Sequence, residues 1–343
     1  MMKKVCGMNG FGRFGLHFLA YYLESITESN FELKYINDDV LDIKRALDII
    51  KSDPYVQIYK KFSIKIEENY LVFNDIHKIE YTQKYSKEIP WLGKPDIFLE
   101  CTGQYTDANL AREFKIGNTE KVIISATSMN ADKMLVYGYN HLEYCTDNDV
   151  ISYGSCTINA FVPLTNFLDS LFSVSSSDIN VIHNVPEYQI KDGQIATPGL
   201  PLTPIKRKEC TLSRIAPRLL KCTTDNNFNV NYTLIPYAGV SIIDYRYSFE
   251  SQPSDQIWAI LESEFTNGQL KGLYKIQERD TGPEAHQNTK YSAVIIKENS
   301  HIRGNDIYFN AYFDNENSAN RYFDLINFIA PKLSVSTDNN SNA

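Results

Sequence analysis

Apolar residues in the first half of the chain fall into short runs, each followed by a turn and then a stretch of helical period. Residues 3–8 form one such run, of strand length. After a glycine-rich turn, residues 16–23 continue as an apolar helix, and residues 31–37 (FELKYIN) read as a second strand. Strand, turn, helix and strand make one βαβ unit, the building block of a parallel sheet. A helix is expected over residues 42–51, ended by Asp53-Pro54. Weaker strands are expected at 62–66, 70–73 and 78–81. Residues 96–101 (DIFLEC) and 121–125 (KVIIS) have the unbroken apolar character of central parallel strands. The loops that follow them, Thr102-Gly103 and Ala126-Thr127-Ser128, lie where an open α/β sheet receives ligands.

Beyond Cys156 the pattern changes. A helix is expected over 157–171, with Ser155 or Cys156 near its start, and residues 181–185 form a strand carrying His183. Residues 190–210 are rich in loop signals, with a basic knot at Lys206-Arg207-Lys208. Long β-type stretches follow at 229–236, 240–249, 293–296 and 306–313, and an amphipathic helix at 321–334 closes the fold. The expected class is α/β: a Rossmann doubly wound parallel sheet, plus an α+β catalytic domain with a mixed or antiparallel sheet. Residues 1–155 with 316–335 would form the first domain and 156–315 the second, leaving a polar tail, 336–343, expected to be disordered.

Composition narrows the classes. A chain of 343 residues exceeds one ordinary core. A net charge of −8 gives no basic footprint for nucleic acid, and no apolar run approaches the roughly 20 residues of a membrane span. Six cysteines show neither CxxC pairs nor zinc spacing, so no metal is expected. The reading is a cytoplasmic chain with free thiols.

Three features carry chemistry. Gly10-Phe11-Gly12-Arg13-Phe14-Gly15 matches a dinucleotide fingerprint. Alone it is weak, since glycines also serve ordinary turns. Here it follows a strand, opens a helix and precedes Asp38 at about the 20-residue spacing of a ribose-binding acid. A carboxylate there favours NAD, because it bonds a 2′-hydroxyl and repels a 2′-phosphate. Cys156, in Gly154-Ser155-Cys156-Thr157-Ile158-Asn159, sits near an expected helix start, which would lower its pKa. The alternative is a small buried hydrophobe, the common fate of free cysteine. His183 is a candidate base whose alternative is an ordinary core histidine. Thiol, imidazole and redox cofactor in one chain suggest aldehyde oxidation through a thioester.

These residues together resemble the glyceraldehyde-3-phosphate dehydrogenase family along nearly the whole chain. Asn9 to Gly15 reads NGFGRFG against the family's NGFGRIG, and its ND appears as Asn37-Asp38. Further matches are Glu100 to Thr106 (ECTGQYT), Val122 to Ser128 (VIISATS) and Gly138-Tyr139-Asn140-His141. Ser155 to Asn159 reads SCTIN for SCTTN, Ile235 to Asp244 reads IPYAGVSIID, and Phe313-Asp314-Asn315-Glu316 stands for YDNE. The resemblance implies that Cys156 attacks the aldehyde and His183 acts as base. It implies that Gly10, Phe11, Gly12, Arg13 and Phe14 line the pyrophosphate, and that Asp38 binds the adenosine ribose. Thr102 and Gly103 would support the adenine pocket, Ser125 would lie near the nicotinamide ribose, and Asn315 would fix the nicotinamide face. Ser155, Thr157 and Thr211 would hold the attacking inorganic phosphate. A homotetramer is implied too.

The departures concern the substrate's own phosphate. The family's HAxTATQ reads HNVPEYQ at His183 to Gln189, so Pro186 and Tyr188 replace two threonines, and Leu234 replaces an arginine. An aldehyde of another size or anchoring is therefore expected, with Lys206, Arg207 and Lys208 as a relocated anion site or a solvated basic loop. The alternatives are a dehydrogenase of another sugar aldehyde, such as a four-carbon phosphate or a polysaccharide precursor, and an inactive NAD-binding scaffold.

Overall fold

The computed structural model describes residues 3–185, 206–236, 239–254, 256–314, 316 and 318–333. Asn315, Pro186, Tyr188 and the tail 336–343 lie outside the described residues.

The elements run β1 (Lys4–Asn9), α1 (Arg13–Glu24), β2 (Phe31–Asp38), α2 (Ile43–Ser52), β3 (Ile64–Glu67), β4 (Tyr70–Phe73), β5 (His77–Gln83), β6 (Ile97–Glu100), α3 (Ala108–Ala111), β7 (Lys121–Ile124), β8 (Lys133–Met134) and β9 (Val150–Ser152). Then come α4 (Cys156–Phe172), β10 (Val174–Val185), β11 (Lys206–Arg207), α5 (Thr211–Leu219), β12 (Phe228–Pro236), β13 (Val240–Phe249), α6 (Ile257–Asn267), β14 (Tyr274–Gln277), β15 (Ala293–Arg303), β16 (Asp306–Asp314) and α7 (Ser318–Ile329).

The chain divides into two compact units. The first holds residues 1–135, 142–153 and 322–343, and the second 136–141 and 154–321. The first unit contains a nine-stranded sheet ordered β3-β4-β5-β2-β1-β6-β7-β9-β8. β5, β2, β1, β6, β7 and β9 run parallel, as burial on both faces requires. β2 lies on one side of β1 and β6 on the other, so the strand order reverses beside β1. Ligands bind at such switch points, beyond the carboxyl ends of the strands. Trp91, Phe98 and Phe114 fill one face, with Phe98 and Phe114 stacked at 4.4 Å. From Tyr322 onward, α7 belongs to this unit. Phe323 meets Tyr21 and Phe31 at 5.1 and 5.3 Å, and the Tyr322 hydroxyl donates to the Ile123 carbonyl.

The second unit contains a seven-stranded mixed sheet ordered β11-β12-β10-β13-β16-β15-β14. Its core gathers aromatic rings on the strands. Tyr245 and Tyr247 are fully buried, and their hydroxyls reach the Ala160 carbonyl and Thr165 on α4 at 2.9 and 2.8 Å.

The α/β class with a parallel-rich sheet and a second mixed sheet is as the sequence pattern expects. Several bounds differ. β10 starts at Val174 rather than 181, because the mostly polar run Ser176 to Asn180 pairs with β13 and, from Ser177, with β12. β15 runs to Arg303, past 296, for the same reason. α7 begins at Ser318 and breaks before Pro331.

Candidate active site

In the first unit, four loops meet along one sheet edge because four parallel strands end there. β1 delivers Gly10 to Gly15, β2 delivers Asp38, β6 delivers Thr102-Gly103 and β7 delivers Ser125. Gly10 has φ +102, and a Cβ on it would lie 2.6 Å from the Cys101 carbonyl carbon. A Cβ on Gly15 would lie 2.5 Å from the Gly10 oxygen, so only glycine lets α1 close on the turn. Gly12 differs: nothing lies within 4 Å of where its Cβ would be. Gly12 is the N-cap of α1, without a side-chain cap and with no acidic residue in the first turn. Free amides at a twelve-residue helix start, facing open space, suit a diphosphate. NAD therefore fits this edge.

Asp38 is 9% exposed, and its carboxylate organises the edge. Oδ2 accepts from the Phe11 amide at 2.7 Å, and Oδ1 accepts from the Val40 and Leu41 amides at 2.9 Å. Ionised carboxylate has about four acceptor sites, so room remains for a ribose hydroxyl. Phe11 is buried with its ring edge-on to Tyr81 at 5.9 Å, and Phe14 packs between Tyr153 and Tyr322. The side chains of both thus serve the core, leaving their backbones for the ligand. Arg13 is tied sideways, in an ion pair with Asp53, a 3.0 Å contact to His17 Nε2 and a stack over Tyr55.

Sequence reasoning missed Glu100 as a site residue. It ends β6, 1% exposed, and takes the Thr102 amide at 2.8 Å, the Thr102 hydroxyl and Asn9 Nδ2 at 3.2 Å. Burial pushes its carboxyl up to about 7, against the pull of those hydrogen bonds. The signal was an acid standing directly after the apolar residues Ile97 to Leu99.

In the second unit, α4 begins at Cys156 with Ser155 as N-cap, its hydroxyl accepting from the Ile158 amide at 3.4 Å. Gly154 precedes it at φ +92. His183 lies on β10, opposite Leu234 of β12. Those elements bring Cys156 Sγ and His183 Nε2 to 3.6 Å. Tyr232 and Phe313 flank the imidazole at 5.4 and 6.0 Å between ring centroids, and its Nδ1 has no partner among the described residues. The Ser155 and Thr157 hydroxyls are 3.2 Å apart, and Thr157 Oγ1 is 3.7 Å from Cys210 Sγ. Cys210 is the N-cap of α5, whose first residue is Thr211. The Ser155 and Thr157 hydroxyls therefore lie together next to Cys156 in the chain, with the Cys210 sulfur at the start of α5 against Thr157.

The expectation of a depressed thiol pKa is overturned. Burial pushes the Cys156 thiol up to about 12, and Cys210 and Glu316 add to this. The amides of Thr157 and of Cys156 itself pull the other way, as a helix start should, but desolvation outweighs them. Burial also drives His183 down to about 4, with the Lys208 charge acting in the same direction. At neutral pH the resting pair is therefore a neutral thiol beside a neutral imidazole.

Among the described residues no helix is long and apolar enough to cross a membrane, and no group of His, Cys, Asp and Glu could hold a metal.

The family model for the glyceraldehyde 3-phosphate dehydrogenase NAD binding domain matches residues 4–108. The chain is similar to glyceraldehyde-3-phosphate dehydrogenase of Atriplex nummularia, 27% identical across 97% of this chain and 94% of that protein. It is similar to the cytosolic glyceraldehyde-3-phosphate dehydrogenase of Pisum sativum, 28% identical across 95% of this chain and 98% of that protein. Glyceraldehyde-3-phosphate dehydrogenase B of Aspergillus oryzae is 27% identical across 96% of this chain and 99% of that protein. With a glycine turn and sheet edge that fit NAD, residues 4–108 match the NAD-binding domain of glyceraldehyde 3-phosphate dehydrogenase, and the chain is an NAD-binding protein similar end to end to those enzymes.

Proposed function

We propose that this chain oxidises an aldehyde through a thioester on Cys156, with His183 as the acid–base group. The observation that carries the reading is the 3.6 Å approach of Cys156 Sγ to His183 Nε2 at the start of α4. In the first step the sulfur adds to the carbonyl carbon while the thiol proton passes to Nε2 and on to the new alkoxide. In the second, Nε2 takes the hydroxyl proton as the carbon loses its hydride. NAD, when bound, supplies the hydride acceptor. The resulting thioester is broken by inorganic phosphate or by water. Ser155, Thr157 and Thr211 are proposed to hold that phosphate. Gly10 to Phe14, Asp38, Thr102, Gly103 and Ser125 are proposed as NAD contacts. Asn315, proposed to set the nicotinamide face, lies outside the described residues.

Glyceraldehyde 3-phosphate is the leading substrate, by likeness to the relatives' printed activity. A second aldehyde, such as a four-carbon sugar phosphate, is favoured by one observation: Leu234, opposite His183, offers no charge to a substrate phosphate. NAD-binding and catalytic domains are proposed at 1–155 with 316–335 and at 156–315. By the same likeness the protein is a cytoplasmic homotetramer, which light scattering on the purified chain would test.

The deciding experiment mixes protein, NAD and a panel of aldehydes with and without phosphate, and follows NADH absorbance. Turnover on at least one aldehyde, lost in Cys156→Ser, is the expected result. NAD binding without turnover on any aldehyde would replace this reading with that of a scaffold.

A further inference from the structure

The segment 206–211 runs alongside β12, the neighbour of the strand that carries His183. β11 runs antiparallel to β12, with Lys206 opposite Leu234 and Arg207 opposite Thr233. The pairing extends one residue further, since the Lys208 amide donates to the Tyr232 carbonyl at 3.1 Å. The Tyr232 ring flanks His183, and two residues past Lys208 the Cys210 sulfur reaches Thr157, the neighbour of Cys156. The three basic residues of the knot are not equivalent. Arg207 donates to Asn231 Oδ1 at 3.1 Å. Glu209, the nearest acid in sequence, is turned to Arg214 at 3.1 Å. Lys208 is exposed and joins no ion pair among the described residues. Its charge nonetheless bears on both His183 and Cys210, lowering the pKa of each. An exposed ammonium, with no ion pair among the described residues, thus stands within electrostatic reach of His183, while Leu234, opposite Lys206, is apolar.

We propose that Lys208 is a specificity-determining cation that holds a phosphate-class oxyanion beside Cys156 and His183. The oxyanion comes from the phosphate ester of the aldehyde or from the inorganic phosphate that releases the acyl group. This rests on Cys156 being the nucleophile proposed above. Lys208 forms no covalent bond; it raises the local concentration of the anion and fixes its place by charge.

Two readouts test it with Lys208→Gln and Lys208→Arg. The first compares Cys156 alkylation by iodoacetate, an anion, with that by iodoacetamide, which is neutral, and needs no turnover. Lys208→Gln is expected to lower the iodoacetate-to-iodoacetamide rate ratio about 3- to 10-fold, with Lys208→Arg near wild type. The second measures KM and kcat. A rise in KM for glyceraldehyde 3-phosphate but not for glyceraldehyde marks the ester as the bound anion. A rise in KM for inorganic phosphate marks the attacking species. In both cases the change should fall on KM rather than on kcat, since Lys208 forms no bond to the reacting atoms. An unchanged alkylation ratio in Lys208→Gln would overturn the inference and leave the thiol reading standing. Turnover retained in Cys156→Ser would overturn that reading and the inference with it.

Discussion

At Cys156 two effects compete. The start of α4 offers amides that favour a thiolate, and burial removes the water that a thiolate needs; burial wins, holding the thiol at about 12. On the proposed reading the nucleophile is made as His183 takes the thiol proton, without an ion pair stored at rest. Its alkylation rate should follow the thiolate fraction, which grows tenfold per pH unit below the pKa. With iodoacetamide and no ligand, the rate is expected to climb about tenfold per unit from pH 7 to 9. A plateau beginning below pH 7 would mean a preformed thiolate–imidazolium pair. Replacing His183 with Gln removes the base, and kcat for aldehyde oxidation is expected to fall by about 10²- to 10⁴-fold while the Kd for NAD, measured by calorimetry, stays put. Both residues could be nominated from the sequence, because thiol and imidazole chemistry is tied to residue type. Their ionisation could not, because it depends on burial that only the assembled unit defines.

Among elements, the β1–α1 turn and the end of β6 are the most informative. A Cβ at Gly12 meets nothing, so Gly12→Ala should leave the melting temperature within a degree or two, as for a surface change. It would nonetheless intrude where the diphosphate is expected, and NAD affinity should drop by about tenfold or more, a loss of roughly 1.4 kcal/mol. Unchanged affinity would place the cofactor elsewhere. Glu100 makes a prediction about stability. Its carboxyl sits near 7 in the folded chain against 4.5 ordinarily. Between those values the unfolded chain releases a proton that the folded chain keeps, so stability falls as pH rises from 4.5 to 7 and stays lower above. Glu100→Gln lacks this titration. Across that window its unfolding free energy should gain on the wild type by on the order of 2 kcal/mol in urea melts. A constant gap between the two proteins would contradict the raised carboxyl.

Apolar strands such as β6 and β7 were legible because burial on both faces leaves an unbroken signal. The polar start of β10 and end of β15 were not, since Ser176 to Asp178 and His301 to Arg303 owe their strand state to ladder partners on β13 and β16. The helices α5 and α6 escaped for a related reason. Pro217 interrupts the pattern of α5, and α6 shows no sharp apolar stripe of its own.

On the scale of the molecule, the proposed chemistry draws on both units. The first supplies the NAD edge; the second supplies the thiol, on α4, and the imidazole, on β10. The first was visible in sequence as a fingerprint with a fixed spacing, the second only as two isolated residues that acquire meaning when β10 carries His183 to the start of α4. What the whole chain turns over was not legible, because Leu234, Pro186 and Tyr188 stand where the resembling family has an arginine and two threonines.

The most direct test of the thioester on Cys156 is intact-protein and peptide mass spectrometry after one turnover. Protein, NAD and a turned-over aldehyde are mixed without phosphate and quenched in acid. The expected result is one acyl group on the peptide bearing Cys156, formed in step with one equivalent of NADH and absent from Cys156→Ser. NADH formation with no acyl group on that peptide, or a burst that survives in Cys156→Ser, would contradict it.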